Sequence, residues 1–422
     1  MKTVPFWTDD FPRPQDLGGD PLPTDTTVAI VGGGYTGLSA ARRLAQLGIQ
    51  SAILERHTIG WGASSRNGGM TTTGLKLKPE TLFKQYGREL GRALWDASLD
   101  AITAVESIVV AEAIDCDFRR HGSFAAACKP AHFDAMCRNT EWMARELGYE
   151  RENVPRSAMR SEIGSAAYYG GVVETLSGGL HPAKYVFGLG QAAARAGVTL
   201  CDRTEVRSIT RSGDAFQLTT ASGVLRADEV LIATNGYTDP HPTAIRRRVV
   251  PIGSYSIVTE PLPPELQQEI SPRGRMFYDS RWFLNYFRLT PDGRLLMGGR
   301  NNLTTDLDLV RSAQRLRETL VRIFPQLHDL PITHSWGGNL GLTFDTLPHI
   351  GRADGLHYAF GYSGHGVAMA TLLGLHAAEL LAGQRANSPF LEIPNPVYFF
   401  YRRRPWFLPL VATGMRLLDR LT

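Results

Sequence analysis

Cysteine is scarce in this chain. The four that occur, Cys116, Cys128, Cys137 and Cys201, show no C-x-x-C spacing and so point to neither a metal knuckle nor a disulfide framework; they read as buried thiols of a reducing compartment. Long apolar runs are absent too. None reaches the ~20 residues a membrane span needs. Asp9 and Asp10 interrupt the amino-terminal stretch, no signal peptide is read there, and the cytoplasm is the expected location. Nor is one sign of charge in excess: a net +4 over 422 residues, with no basic cluster interleaved with aromatics before the C terminus, argues against a nucleic-acid partner. No metal-ligand constellation and no Ser/His/Asp arrangement stands out. What is present, 43% hydrophobic and 20% charged residues, suits a globular protein long enough for two or three domains.

The stretch Val28 to Glu55 organises the rest. A β-branched run leads into Gly32, Gly34 and Gly37, the glycines of G-x-G-x-x-G. A helical pattern follows, stopped at Gly48, and a second apolar run ends on Glu55. Gly32 permits a tight turn, Gly34 lets backbone approach a pyrophosphate, and Gly37 lets the helix pack close to the strand. The helix start offers free N–H groups to phosphate. Glu55, about 20 residues on, is placed to bind a ribose diol. Strand, turn, helix, second strand and acid together read as a dinucleotide-binding unit.

The chain around it is legible in outline. Residues 1–26, rich in Pro and Asp, read as an irregular arm carrying Phe6 and Trp7. Residues 60–74, rich in Gly, Ser and Thr, are either a surface excursion or a cofactor cradle. Helical spacing over 87–114 and 130–147, with a strand over 118–127, belongs to a second domain. A helix from His181 to Ala196 precedes short strands at 198–200, 206–210, 216–220, 224–227 and 229–233, the last ending in Thr234-Asn235-Gly236. From Val249 the pattern is antiparallel: strands at 252–259, 282–289, 294–299 and 332–336, and an amphipathic helix at 309–324. Alternation puts Trp282, Leu284 and Tyr286 on one face and Phe283, Asn285 and Phe287 on the other.

A second strand, Gly-loop and helix start stands at 356–383, where Leu356 to Phe360 run into Gly361-Tyr362-Ser363-Gly364-His365-Gly366. Helix starts stabilise negative charge. A flavin dinucleotide needs two such places, one for its pyrophosphate and one for the ring edge that becomes anionic on reduction.

With both loops in view the chain resembles the D-amino-acid-oxidase-type FAD oxidoreductases, the group of sarcosine, glycine and γ-glutamylputrescine oxidases. The matching pieces are VAIVGGGYTG with Glu55, ASSRNGG at 63–69, GGLHPAKY at 178–185, LIATNGY at 231–237 and GYSGHG at 361–366. SRNGG, SYSIVTEPL (254–262) and LNYFR (284–288) are most similar to the γ-glutamylputrescine oxidase branch. The resemblance implies an α/β fold: a discontinuous Rossmann-type FAD domain (27–85, 155–240 and 337–390) and an antiparallel-sheet substrate domain (86–154 and 241–336), with an arm at 1–26 and a tail at 391–422. It implies that Gly32, Gly34, Thr36, Gly37, Glu55, Arg56, Val206, Thr234 and Gly236 hold the nucleotide end of FAD. Ser65, Arg66, Asn67, Gly68, Gly69, Gly364, His365, Gly366 and Val367 then surround the ring.

Three departures from the family pattern carry expectations. Members with covalent FAD have a cysteine just before the segment that here reads WGGNLGLTFDTLPHIG (336–351); none occurs, so FAD is expected to be bound without attachment. Thr73 and Ala368 stand where sarcosine-type oxidases place a carboxylate-clamping Arg and Lys, so the clamp is missing or has moved, with Arg281, Arg288 and Arg300 as candidates. Leu296 stands where those enzymes place an oxygen-activating lysine.

The implied reaction is oxidation of an aliphatic amine or amino-acid derivative, γ-glutamylputrescine-like, to an imine that water converts to an aldehyde or keto product. Oxygen reoxidises the flavin and yields hydrogen peroxide. His365 either acts directly or braces its loop. Tyr255, Tyr286 and Trp336 either cage the amine or pack the core, and His181 reads as structural. Two alternatives stay open: a dehydrogenase feeding a membrane quinone, and an inactive FAD-binding scaffold. At the C terminus, Arg402–Arg404 precede a helical pattern with Phe407, Leu410, Val411, Gly414, Leu417, Leu418 and Leu421 on one face and Arg416 and Arg420 elsewhere. It packs on the protein's own surface or makes weak contact with anionic lipid.

Overall fold

The strand Asp25–Val31 lies inside a parallel sheet, flanked by Ser51–Leu54 and Val224–Ile232. Val31 pairs with Leu54 on one side and Ile232 on the other, so three strand ends arrive together. In the computed structural model, which describes residues 1–238, 243–299, 303–384, 388–401 and 405–421, Leu356–Phe360 and Thr199–Cys201 extend this sheet on its two sides. His349–Ala353 adds an antiparallel edge, and the hairpin Ser208–Ser212/Ala215–Thr219 joins Val224–Ile232 antiparallel. Val224–Ile232 runs unbroken where the sequence suggested two strands, because alternating burial carries through Asp228.

Helices Tyr35–Gln46 and Gly366–Leu381 follow the two glycine loops and pack on each other. The contact is close enough that a Cβ on Gly374 would lie 2.5 Å from the Thr36 carbonyl oxygen. Ser39 Oγ donates to the Thr371 carbonyl at 2.9 Å in the same seam. Gly366–Leu381 is apolar nearly all round and accordingly buried. The long helix Pro79–Ala111 changes direction at Gly87, whose φ is +81°.

The second sheet runs in the order Ile332–Leu342, Val250–Pro261, Arg294–Gly299, Asn285–Leu289, Met276–Asp279, Ser123–Ala126, Gly170–Glu174, Glu152–Pro155. Every pair is antiparallel except Met276–Asp279 with Ser123–Ala126. Its outer face forms a separate core of Phe124, Tyr255, Phe277, Phe287, Leu316 and Leu320, closed by the helix Leu309–Ile323. The molecule is thus a Rossmann-type nucleotide domain plus an antiparallel-sheet domain. Gly170–Glu174 pairs in the second sheet and Ile332–Leu342 crosses position 336. On that pairing we propose that the nucleotide domain resumes near Ser177 rather than at 155.

Three expectations need correction. The arm carries a short helix, Phe6–Asp10, with Phe6 buried beside His334 and Arg294 of the second sheet and Trp7 buried beside His181. Trp282–Leu284 is not strand. The carboxylate of Asp419 accepts the Trp282 and Phe283 N–H groups at 2.7 and 3.1 Å, and Asp279 accepts that of Asn285 at 3.0 Å, which holds the segment as a loop. The C-terminal helix Leu408–Leu421 packs through Leu408 and Ala412 beside Tyr401, Val250 and Ile252. Leu410 and Leu417, on the face expected to dock, stay 69% and 55% exposed. Arg300 and Arg402–Arg404, and the Arg420 side chain, lie outside the described residues. No helix of the described residues is long and apolar enough to cross a membrane.

Candidate active site

Both glycine loops open onto one cavity of about 680 Å³, within the size range of cofactor pockets. The first loop is fixed by shape. Gly32 has φ +111°, and a Cβ on Gly37 would lie 2.0 Å from the Gly32 carbonyl oxygen, so helix and strand approach as only glycine allows. Gly37 therefore shapes the cavity without lining it. Glu55 accepts N–H groups from Gly33 and His57, both at 2.9 Å, and Ser64 Oγ accepts that of Tyr35 at 3.0 Å. Thr36 Oγ1 and Tyr362 OH, 2.6 Å apart, tie the first loop to the second. Gly32, Gly34, Thr36, Glu55, Arg56, Val206 and Thr234 line this end. Gly236 does not; it packs on the Leu340–Gly341 backbone, and Asn235 Oδ1 beside it accepts the Gly361 N–H at 3.0 Å.

The second loop is tight at its start, where a Cβ on Gly361 would lie 2.4 Å from Thr343 Cγ2, and open at its tip. Gly364, at φ +106°, has no atom within 4 Å of where a Cβ would stand. His365 precedes the first helical residue and lines the cavity with Gly364, Gly366 and Val367.

Between the loops runs the segment Ala63–Met70. Its carbonyls are held from behind by donors that do not line the cavity. Trp336 Nε1 donates to Arg66 O at 2.9 Å, Trp7 Nε1 to Asn67 O at 2.8 Å, and Arg288 to Gly69 O at 2.7 Å. The Asn67 amide braces the turn internally, donating to Ala63 O and Ser64 O and accepting the Gly69 N–H. Arg66, Asn67 and Gly68 face the cavity, whereas Ser65 and Gly69 do not. Burial lowers the pKa of Arg66, whose guanidinium lies 4.4 Å from the Trp61 ring centre.

The antiparallel sheet covers the far end with Ser254, Tyr278 and Tyr286, joined by Leu284 from the loop before Asn285–Leu289. Tyr286 packs on Gly68 and Gly298, with its hydroxyl 3.2 Å from Ser256 Oγ. Of the two readings of Tyr255, Tyr286 and Trp336, a cage of all three is not formed. Tyr255, one step out of phase with Ser254 and Ser256, turns to the outer core and bonds Thr304 O and Leu307 N. Trp336 is a wall behind the loop. The displaced carboxylate clamp is likewise absent from the two described candidates. Arg281 pairs with Asp279 at 3.4 Å, and Arg288 is spent on backbone carbonyls. Thr73 lines the cavity, with Lys76 near it in the chain. Sequence reasoning missed Trp7, Ser64, Asn235 and Tyr362. Ser64, Asn235 and Tyr362 lie inside the quoted motifs and were within reach; nothing local marks Trp7.

Two parallel-strand glycine loops facing one elongated cavity, beneath an antiparallel roof, define a flavin-dinucleotide oxidoreductase. A model of the FAD dependent oxidoreductases matches residues 27–380, and the chain belongs to that family. It is 36% identical over 367 residues to a probable oxidoreductase OrdL of Rhizobium meliloti, covering 86% of this chain and 85% of that one. It is 33% identical over 401 residues to the γ-glutamylputrescine oxidoreductase of Escherichia coli, covering 93% of each. Among solved structures, a glycine oxidase from Geobacillus kaustophilus superposes with a TM-score of 0.75 at 22% identity, over 89% of this chain and 100% of that one. The chain is accordingly an enzyme with FAD as cofactor, and the glycine cradle, with no room for Cβ atoms at Gly34 and Gly37, fits that group.

Proposed function

We propose that this enzyme oxidises an aliphatic amine, or amino-acid derivative, that lacks a carboxylate beside the reacting carbon, and that oxygen is the electron acceptor. The observation that carries the reading is the far end of the cavity. Thr73, Tyr278, Leu284 and Tyr286 meet there, and neither Arg281 nor Arg288 reaches in to clamp an α-carboxylate. Lys76 on the cavity lining suits a carboxylate farther along the substrate, which agrees with the name of the Escherichia coli relative. The bound FAD would supply hydride uptake from the amine carbon and two-electron transfer to oxygen; the second proton of hydrogen peroxide would come from solvent, which receives the one the nitrogen loses as the imine forms.

The chain's own residues supply the rest. The first loop with Glu55 would hold the pyrophosphate and ribose without covalent attachment. Residues 66–68 and 364–367 would hold the ring, and the N-terminus of Gly366–Leu381 favours negative charge at its edge. Tyr286 orients the substrate by stacking and by excluding water. Cytoplasmic action is supported by four cysteines present as free thiols.

Mixing the purified enzyme with a panel of amines without oxygen tests this. We expect diamines, and above all amines with a remote carboxylate, to bleach the flavin, and air to restore it with one peroxide per turnover. Bleaching by sarcosine or D-alanine alone overturns the substrate class.

A second reading, electron transfer to a membrane quinone, is favoured by one feature. Phe399, Trp406, Leu410 and Leu417 of the tail are apolar and 83%, 62%, 69% and 55% exposed, next to Arg402–Arg404 in sequence. Flotation with anionic liposomes of the intact chain, but not of one truncated after Phe400, would support lipid contact. Reoxidation that is fast with a quinone and slow in air would make the enzyme a dehydrogenase.

A further inference from the structure

Arg288 lies on the strand Asn285–Leu289 with its guanidinium buried behind the cavity wall. It donates to the carbonyls of Gly69 at 2.7 Å, Leu180 at 3.0 Å and Leu289 at 3.2 Å. Trp7 lies alongside, its ring centre 5.9 Å away. Among the described residues Arg288 makes no ion pair. The carboxylate whose field reaches it, Asp117, is already paired with Lys184 at 2.9 Å. Burial pushes the guanidinium pKa down to about 10. A buried cation without a counter-ion is costly, and carbonyl acceptors offset only part of the desolvation.

Across the wall the cost is answered. Gly69 sits between Gly68 and Met70, both on the cavity lining, so the charge stands one peptide behind it. The three rearward donors also draw the negative ends of the Arg66, Asn67 and Gly69 peptides away from the cavity. Positive charge behind, with carbonyls turned back, makes this wall favourable to an anion in front of it. Reduction of a flavin by two electrons and one proton puts one negative charge on the ring.

We propose that Arg288 is a fixed buried cation that raises the reduction potential of the bound FAD by stabilising the negative charge of its reduced ring through the Gly68–Met70 wall. This role rests on FAD binding and not on the identity of the amine. It is distinct from merely bracing the loop, which Trp7 and Trp336 also do.

Substitutions that keep the donors and remove the charge separate the two roles. The probes are the midpoint potential of the FAD-loaded protein against reference dyes and its affinity for sulfite, whose addition to flavin also leaves the ring negative. Arg288→Gln retains an N–H donor for the carbonyls, and Arg288→Met retains only bulk. In either we expect sulfite affinity to fall about tenfold and the potential to drop by about 30 mV, the two-electron equivalent of tenfold. Arg288→Lys should stay within about threefold of the parent. Trp7→Phe removes the donor to Asn67 O without changing charge and should leave the potential where it was. An unchanged potential and sulfite affinity in Arg288→Gln overturn the proposal. So does a Trp7→Phe shift as large as that of Arg288→Gln, which would make loop geometry the cause.

Discussion

The two glycine loops share one plan and meet different demands. In the first, residues 32–37, steric limits leave no choice: the missing Cβ atoms are replaced by backbone at 2.0 Å and by Ser64 Oγ at 2.8 Å. Two of its amides are already taken by Glu55 and Ser64. In the second, residues 361–366, Gly361 is packed against Thr343, but the tip at Gly364 has open space around it, and the helix start behind it is bare of side-chain caps. A tight loop suits a group that must be held in one place, such as pyrophosphate. An open one suits a ring whose charge changes and whose neighbour, the substrate, must come and go.

The comparison can be broken by substitution, and the largest effect is expected in the first loop. Gly37→Ala forces backbone against backbone and should cost roughly 3 kcal/mol or more, seen as loss of soluble yellow protein; a yellow, normally melting variant would show that shape does not set this loop. Glu55→Ala leaves the Gly33 and His57 amides without their acceptor and should weaken FAD retention by about 1–3 kcal/mol, measured by equilibrium dialysis. Gly364→Ala meets no atoms and suffers only from its φ of +106°, a strain of about 1–2 kcal/mol. It should lower the melting temperature while FAD stays bound, and ejection of FAD would erase the distinction between the loops. Smallest is Tyr362→Phe, which breaks the 2.6 Å bond to Thr36 for about 1 kcal/mol. A double-mutant cycle with Thr36→Val should be non-additive, since the two hydroxyls act as one tie.

How much of this was legible follows from how local each device is. Gly32, Gly34, Gly37 and Glu55 are set by spacing along one strand–helix–strand unit, and both loops could be read at their exact positions. Tyr255 and Tyr286 look alike as aromatics in strands. Which face meets the outer core and which meets the cavity depends on the helix Leu309–Ile323, whose docking side the strand pattern does not reveal. The segment 282–284 looked like strand until Asp419, from the far end of the chain, captured its amides. The rear bracing of residues 66–69 joins Trp7, Arg288 and Trp336, separated from the loop by 60 to 270 residues; no local pattern announces it. Arg288 was visible as a candidate cation, yet its burial, and therefore its meaning, belongs to the tertiary structure.

The most direct measurement is a crystal structure of the enzyme with its FAD. We expect the pyrophosphate at the N-terminus of Tyr35–Gln46 within reach of Gly34 and Thr36, and one ring between residues 66–70 and the Gly364–Val367 helix start. Arg288 should lie behind that ring with no carboxylate partner. A pyrophosphate bound away from the first loop, or a ring outside the space between the two segments, would contradict the assignment of both loops to a single cofactor.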